Sequence, residues 1–352
     1  MTPIADCAAF SFRGTAVSVG EVLLAAHFRN ELEPCASSVA LGVASEEEAA
    51  RWRLEADEGA IEAMVDGFRY EKSLISADEA EAWLNARGMT QNEFQDYFIR
   101  RYWRETLREK IIPDHVDLAR VVPDLLGLLH VEVLMSGAFG PIATALSRRH
   151  IARAAAKAPP DEHQVKAERG RFLGRTGLKL GTVDGWLEAI SRDHGWLDGM
   201  LEMEASYRLE CRAILTPERL AQALAAERVA LTRLQLERVE FGSADAALKA
   251  HLRVRGNGSL LEEVARESRC PFKRFEVLAE DLPEDQMQKL LCATIGEVQK
   301  PAPAGGVLHL TRVIRRSEPT LADVLVRARV EQRVLNACFS EAAGNEVRWF
   351  IN

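Results

Sequence analysis

Several features that assign a protein quickly are missing from this 352-residue chain. Its six cysteines (Cys7, Cys35, Cys211, Cys270, Cys292 and Cys338) form no C-x-x-C pair. That excludes a thioredoxin-type motif and a zinc knuckle, and a chain of this length needs no disulfide scaffold. Basic residues are outnumbered, 45 Lys and Arg against 53 Asp and Glu, for a net charge of −8. A nucleic-acid binder usually carries a basic domain, so nucleic acid is not an expected partner. The pairs Arg100-Arg101, Arg148-Arg149 and Arg315-Arg316 read as solvated element ends. Long apolar runs are lacking: the stretch Leu125 to Leu134 is short and contains His130 and Glu132, so no membrane span is expected. Met1 to Arg13 shows no basic segment followed by an apolar core, and a cytoplasmic chain without a secretory signal is the expectation. There is no H-E-x-x-H, G-x-S-x-G, Walker loop or strand-borne G-x-G-x-x-G, each of which would place a metal, a nucleophile or a phosphate. His115, His130, His150, His163 and His194 lack ligand spacing, so neither a metal nor an organic cofactor is expected.

What remains is a folded chain, 47% hydrophobic and 28% charged, with room for two or three domains. The first half reads as helical. Ser45–Glu48, Ser76–Glu79 and Thr90–Glu93 have capping-box spacing, in which a hydroxyl and a carboxylate three residues apart satisfy each other's backbone amides. After the first come Trp52, Leu54, Ile61, Met64, Val65 and Phe68 as a buried face; after the third come Phe94, Tyr97, Phe98, Trp103, Leu107 and Ile111, with Pro113 as a stop. Gly88 occupies a helix-ending position after Trp83 and Leu84. Thr15 to Glu21 reads as a short strand entering a helix. Residues 114–160 are rich in Ala and Leu and predict two or three helices, broken near Pro123 and Ser136-Gly137. Pro159-Pro160 and the charged stretch to Arg175 read as a connection or exposed loop. Helical pattern resumes near Thr182, and Trp186-Leu187 with Ile214-Leu215 weakly echo Trp83-Leu84 with Ile111-Ile112. Thr216-Pro217 starts a further helix, expected to run toward Leu234.

There the period changes. Leu234 to Phe241 alternates apolar and polar, as a half-buried strand does. A helix with Ala247, Leu248 and Leu252 follows, then one capped by Ser259 and Glu262, a strand around Phe275, and a helix opened by Pro283. An extended piece follows Gly296, then a turn at Gly305-Gly306, and a strand from Val307 to Val313. The order from Leu231 to Val313 resembles the parvulin-type prolyl isomerases. Carrying the resemblance are that order, Leu261-Glu-Glu-Val-Ala265, Gly296-Glu-Val298 and Leu308-His309-Leu310. Upstream, Val17 to Glu21, Ile75 to Glu79 and Gly88 to Phe94 are similar to phrases of the SurA-type foldases. In those, a helical chaperone domain precedes the parvulin domain, and a C-terminal helix and strand return to it. Ala322 to Ala342 and Val347 to Ile351 fit that return.

The resemblance implies an α+β, mostly α fold. It comprises a helical SurA-like chaperone domain over residues 1–230, with an insert at about 114–175, and a small parvulin-like antiparallel-sheet domain over 231–318. A helix and strand over 319–352 pack back on the helical part. It implies His309 as the catalytic residue, with Arg238, Cys270, Phe275 and Met287 binding substrate. Arg238 stands where the family carries its first histidine, the family's glycine-rich segment is absent, and Cys270 to Phe275 is shortened. The catalytic set is therefore degenerate. Each residue also has an ordinary reading: a strand histidine that hydrogen-bonds, a core methionine, a small thiol, a solvent-facing arginine. The implied function is a peptide- or protein-binding, foldase-like maturation factor whose client is a peptide or protein, for example a precursor peptide. The alternatives are an active prolyl isomerase and a helical scaffold subunit.

Overall fold

Proline, serine and acidic residues punctuate the first 213 residues and decide where helices begin. The computed structural model describes residues 3–110 and 123–351. Strands β1 (Ala8–Phe12) and β2 (Thr15–Ser18) lead into α1 (Val19–Phe28), whose entry is a capping box between Ser18 and Glu21. Helices α2 (Glu33–Arg51), α3 (Glu58–Glu71), α4 (Ala77–Ala86) and α5 (Gln91–Leu107) follow. After them come α6 (Pro123–Met135), α7 (Phe139–Ala155), α8 (Glu162–Thr176), α9 (Val183–Ala189) and α10 (His194–Ile214). The chain continues through α11 (Pro217–Ala226), β3 (Arg233–Phe241), α12 (Ala244–Asn257), α13 (Leu261–Ser268), β4 (Phe272–Leu278) and α14 (Glu284–Cys292). It closes with β5 (Ala302–Ala304), β6 (Val307–Ser317), α15 (Val324–Glu346) and β7 (Val347–Trp349). The protein is thus mostly helical with two small antiparallel sheets, ordered β2-β1-β7 and β4-β3-β6-β5, as the sequence predicts.

The chain divides into two units: Met1–Ala213 with Cys338–Asn352, and Ile214–Ala337. In the first, α1 is buried over Val19, Val22, Leu23, Ala25, Ala26 and Phe28. Each fully buried large apolar side chain of this kind contributes about 1.5–3 kcal/mol. Strand β7 pairs with β1, matching Phe10 to Trp349, so the C-terminal strand completes the N-terminal sheet. Helix α5 packs on α2, α3 and α6. At one crossing, Gly42 of α2 leaves space that the Arg100 side chain fills: a Cβ there would lie 2.5 Å from Arg100 Cγ. In the second unit, α12 and α13 cover one face of the sheet through Val239, Phe241, Ala250, Leu261 and Val264, and α14 covers the other through Leu290 with Leu234, Leu236 and Val313. Among the described residues no single helix is long and apolar enough to cross a membrane; Gly127–Met135 and Phe139–Ala155 pass only as a pair bent by 97°.

The boxes at Ser76–Glu79 and Thr90–Glu93 form as predicted, and Gly88 takes a left-handed φ of +63° past α4. Other expectations are corrected. Ser45 lies inside α2, and its hydroxyl donates to Leu41 O at 2.7 Å; the following helix is capped by Asp57 instead. Trp52 and Leu54 fall between helices and are exposed. The stretch to Arg175 is α8, entered through a capping box of Asp161 and Gln164 and burying Glu168 and Phe172. Leu260, not Ser259, precedes α13, with no side-chain cap. Helix α11 ends at Ala226, leaving Val229 exposed. The expectations for Ile111, Ile112, Pro113 and the start of the 114–175 insert lie outside the described residues.

Candidate functional site

Strand β3 is central to the four-stranded sheet, and its register places the candidate residues. Residues paired directly across strands share a face. Arg238 stands between Lys273 and Thr311, Leu236 between Phe275 and Val313, and Glu240 beside His309. Because Leu236, Arg238 and Glu240 alternate along β3, all of these lie on one face. Met287 reaches that face from α14, within the apolar cluster that includes Phe275, Leu236 and Leu290. Arg238, Phe275, Met287 and His309 are therefore brought to the same side of the sheet. Cys270 is not: it packs against the cluster of Val239 and Phe241 on the opposite face, and its thiol donates to Ser268 O at 3.5 Å.

Arg238 is half-buried, and its Cζ lies 5.1 Å from the centroid of the Phe275 ring, within reach of a cation–π contact. Its Nε has no hydrogen-bond partner among the described residues. Burial pushes its pKa down, with Glu240 opposing. The Glu240 carboxylate is engaged by Lys273 at 2.8 Å.

His309 lines a cavity of about 610 Å³, together with His251 and Arg255 of α12, Lys289 and Leu290 of α14, Val298, Lys300 and Thr311. Among the five predicted site residues it alone does so. His309 Nδ1 and His251 Nδ1 are both buried without a hydrogen-bond partner among the described residues. A buried polar atom left this way costs free energy. Burial and then the Arg238 charge lower the His309 pKa, Glu240 opposing and Lys273 adding to the fall. The ring is therefore neutral at pH 7 and offers one donor and one acceptor nitrogen. Among the described residues no group of three or more His, Cys, Asp and Glu is placed to hold a metal ion.

His251 was not read from the sequence, although a signal existed. The expected face of α12 used Ala247, Leu248 and Leu252, yet Leu248 and Leu252 are 52% and 60% exposed. The buried residues are Ala247, Ala250, His251 and Val254, an i, i+3, i+4, i+7 set in which a histidine replaces an apolar residue.

The opposite face of β3 holds a buried carboxylate. Glu237 is 1% exposed and accepts from Arg274 Nε at 3.1 Å and Arg312 Nε at 2.9 Å, with a second bond from each guanidinium. Burial pushes its pKa up, but the two arginines outweigh burial and leave it below the ordinary value. A depressed carboxylate contributes stability that is fully present above its unfolded pKa of about 4.3 and is lost as pH falls through the folded value. Stability of the sheet unit is therefore expected to decline below about pH 5, and Glu237→Gln to flatten the decline. Urea midpoints by far-ultraviolet circular dichroism at successive pH values measure this; an equal slope in wild type and variant would assign the pH dependence to other groups.

No family model matches the chain, and no curated protein sequence does. Among solved structures, the protein is similar to the peptidylprolyl isomerase PrsA of Bacillus cereus, at 10% identity and TM-score 0.37, over 56% of this chain and 78% of that one. It is also similar to the foldase protein PrsA of Streptococcus pneumoniae, at 10% identity and TM-score 0.30, over 58% and 79%. A third likeness is to a structure from a study of two SurA-like chaperones of Campylobacter jejuni, at 8% identity and TM-score 0.23, over 61% and 88%.

Proposed function

We propose that this chain is a protein-binding, foldase-like maturation factor, whose sheet unit is a degenerate parvulin-type module that holds a client peptide. The observation that carries the reading is the cavity beside His309. Its volume, about 610 Å³, falls within the range of built ligand sites. Its lining includes the imidazoles of His251 and His309 and the hydroxyl of Thr311, and a peptide backbone supplies both donors and acceptors to meet such groups. Arg238 on the same face replaces an imidazole with a permanent cation, which suits holding a carbonyl better than exchanging a proton. A client such as a precursor peptide fits this role.

Fluorescence anisotropy of the full chain with labelled proline-containing peptides tests the reading. Binding is expected in the range of about 1 μM to 1 mM, weakened about tenfold, or 1.4 kcal/mol, by His309→Ala. No turnover is expected in a protease-coupled Xaa-Pro assay. A chain that binds neither these peptides nor an unfolded protein, but forms a stable stoichiometric complex in its native cell, is a scaffold instead.

A second reading, an active isomerase, is favoured by His251, which brings another imidazole to the cavity of His309. It requires turnover in the Xaa-Pro assay that is lost in both His251→Ala and His309→Ala.

A further inference from the structure

The lining of the His309 cavity is unequal in charge. Arg255, Lys289 and Lys300 contribute three cations, and Glu297 one carboxylate. Lys289 has a distant exposed partner, Asp285, at 3.7 Å. Arg255 and Lys300 have no ionic partner among the described residues. These side chains are exposed, whereas His251 is 5% exposed and Thr311 8%. The cavity therefore has a cationic rim over a floor of imidazole, hydroxyl and the apolar Leu290 and Val298. In a chain of net charge −8, a cationic concavity is a place where an acidic peptide concentrates.

We propose that the cavity selects an acidic segment of the client: an extended peptide with two or three Asp or Glu residues. Its carboxylates lie against Arg255 and Lys300 at the rim, and its backbone meets the polar lining of His251, His309 and Thr311. This rests on the peptide-binding reading above and names the class of peptide. Rim contacts between exposed charges are individually weak and screened by salt. The preference is therefore a sum over several carboxylates and is largest at low ionic strength.

The test uses the full chain at low salt and three labelled peptides of equal length, acetylated and amidated so that no terminal charge contributes. They share a proline-containing core flanked by Asp and Glu, by Ser and Gln, or by Lys. The acidic peptide is expected to bind about tenfold more tightly than the neutral one. The double variant Arg255→Gln/Lys300→Gln, checked for wild-type circular dichroism, is expected to abolish that difference. Equal or better binding of the neutral or basic peptide overturns the acidic class and leaves peptide binding standing. Persistence of the acidic preference in the double variant overturns this rim as its source. If no peptide binds the wild-type chain, the peptide-binding reading fails and this inference with it.

Discussion

Arg104→Met is expected to destabilise the helical unit by about 3–5 kcal/mol, as removal of one partner from a buried ion pair generally does. Glu132 of α6 is 4% exposed. Its Oε1 accepts from Ser38 Oγ of α2 at 2.7 Å and from Arg104 Nη1 of α5 at 3.1 Å. Arg104 also donates to the Ser38 hydroxyl and, at 3.4 Å, to the Ser38 carbonyl. One guanidinium thus ties three helices at a single carboxylate. Without it the carboxylate keeps one hydroxyl, and its desolvation goes uncompensated. The companion variant Arg104→Met/Glu132→Met is expected to recover most of the loss, because an apolar pair in place of a buried ion pair is often close to neutral. All six tryptophans lie within residues 1–213 and 338–352, so urea unfolding followed by tryptophan emission reports this unit alone. A loss under 1 kcal/mol in the single variant, or no recovery in the double, would count against a compensated buried charge.

How much of this was legible in the sequence depended on the range of the interaction. Ser76 and Glu79, or Thr90 and Glu93, satisfy each other within one turn, so their spacing reports their structure directly. Ser45 and Glu48 have the same spacing, but their helix had already begun at Glu33-Pro34; a hydroxyl inside a helix turns to the carbonyl four residues back. The reverse error hid α8. Pro159-Pro160 and a run of charge suggested a loop, while Asp161 and Gln164 carried the helix start. Its buried side includes Glu168, held by Arg171, Arg175 and Arg208, so polar letters stood where core letters were expected. Period-two alternation disclosed β3, and β6 was legible from Val307 to Val313, its run to Ser317 lying beyond the expected end. Which residues face His309 depended on pairing across the sheet, which no local pattern states. Register joined Arg238 and Phe275 to His309's face, α14 brought Met287 to it, and packing put Cys270 on the other. His251, on a different element from His309, entered the cavity only through the fold.

Phe98→Ala is expected to cost about 3–5 kcal/mol, the range for truncating a fully buried phenylalanine. Phe98 is 0% exposed and occupies the middle of α5, where the sequence predicted a buried face. Its ring lies edge-on to Phe94 at 5.0 Å, Tyr97 at 5.2 Å and Phe68 at 5.7 Å. Phe68 of α3 in turn meets Trp83 of α4 edge-on at 5.5 Å. Each such pair adds about 0.5–1.5 kcal/mol beyond the area it buries, and the cavity left by Ala removes three pairs at once. Helix α4 buries none of its own side chains fully and depends on this cluster for its seat, so fraying of α4 should accompany the loss. Trp83 gives that a direct signal: in Phe98→Ala its emission should shift to the red before the main unfolding transition, and hydrogen exchange over Ala77–Ala86 should quicken more than over α1. Phe98→Leu, which keeps an apolar side chain of similar bulk, should cost much less. Equal losses in the two variants would mean that the aromatic lattice, rather than apolar burial at this position, holds α3, α4 and α5 together.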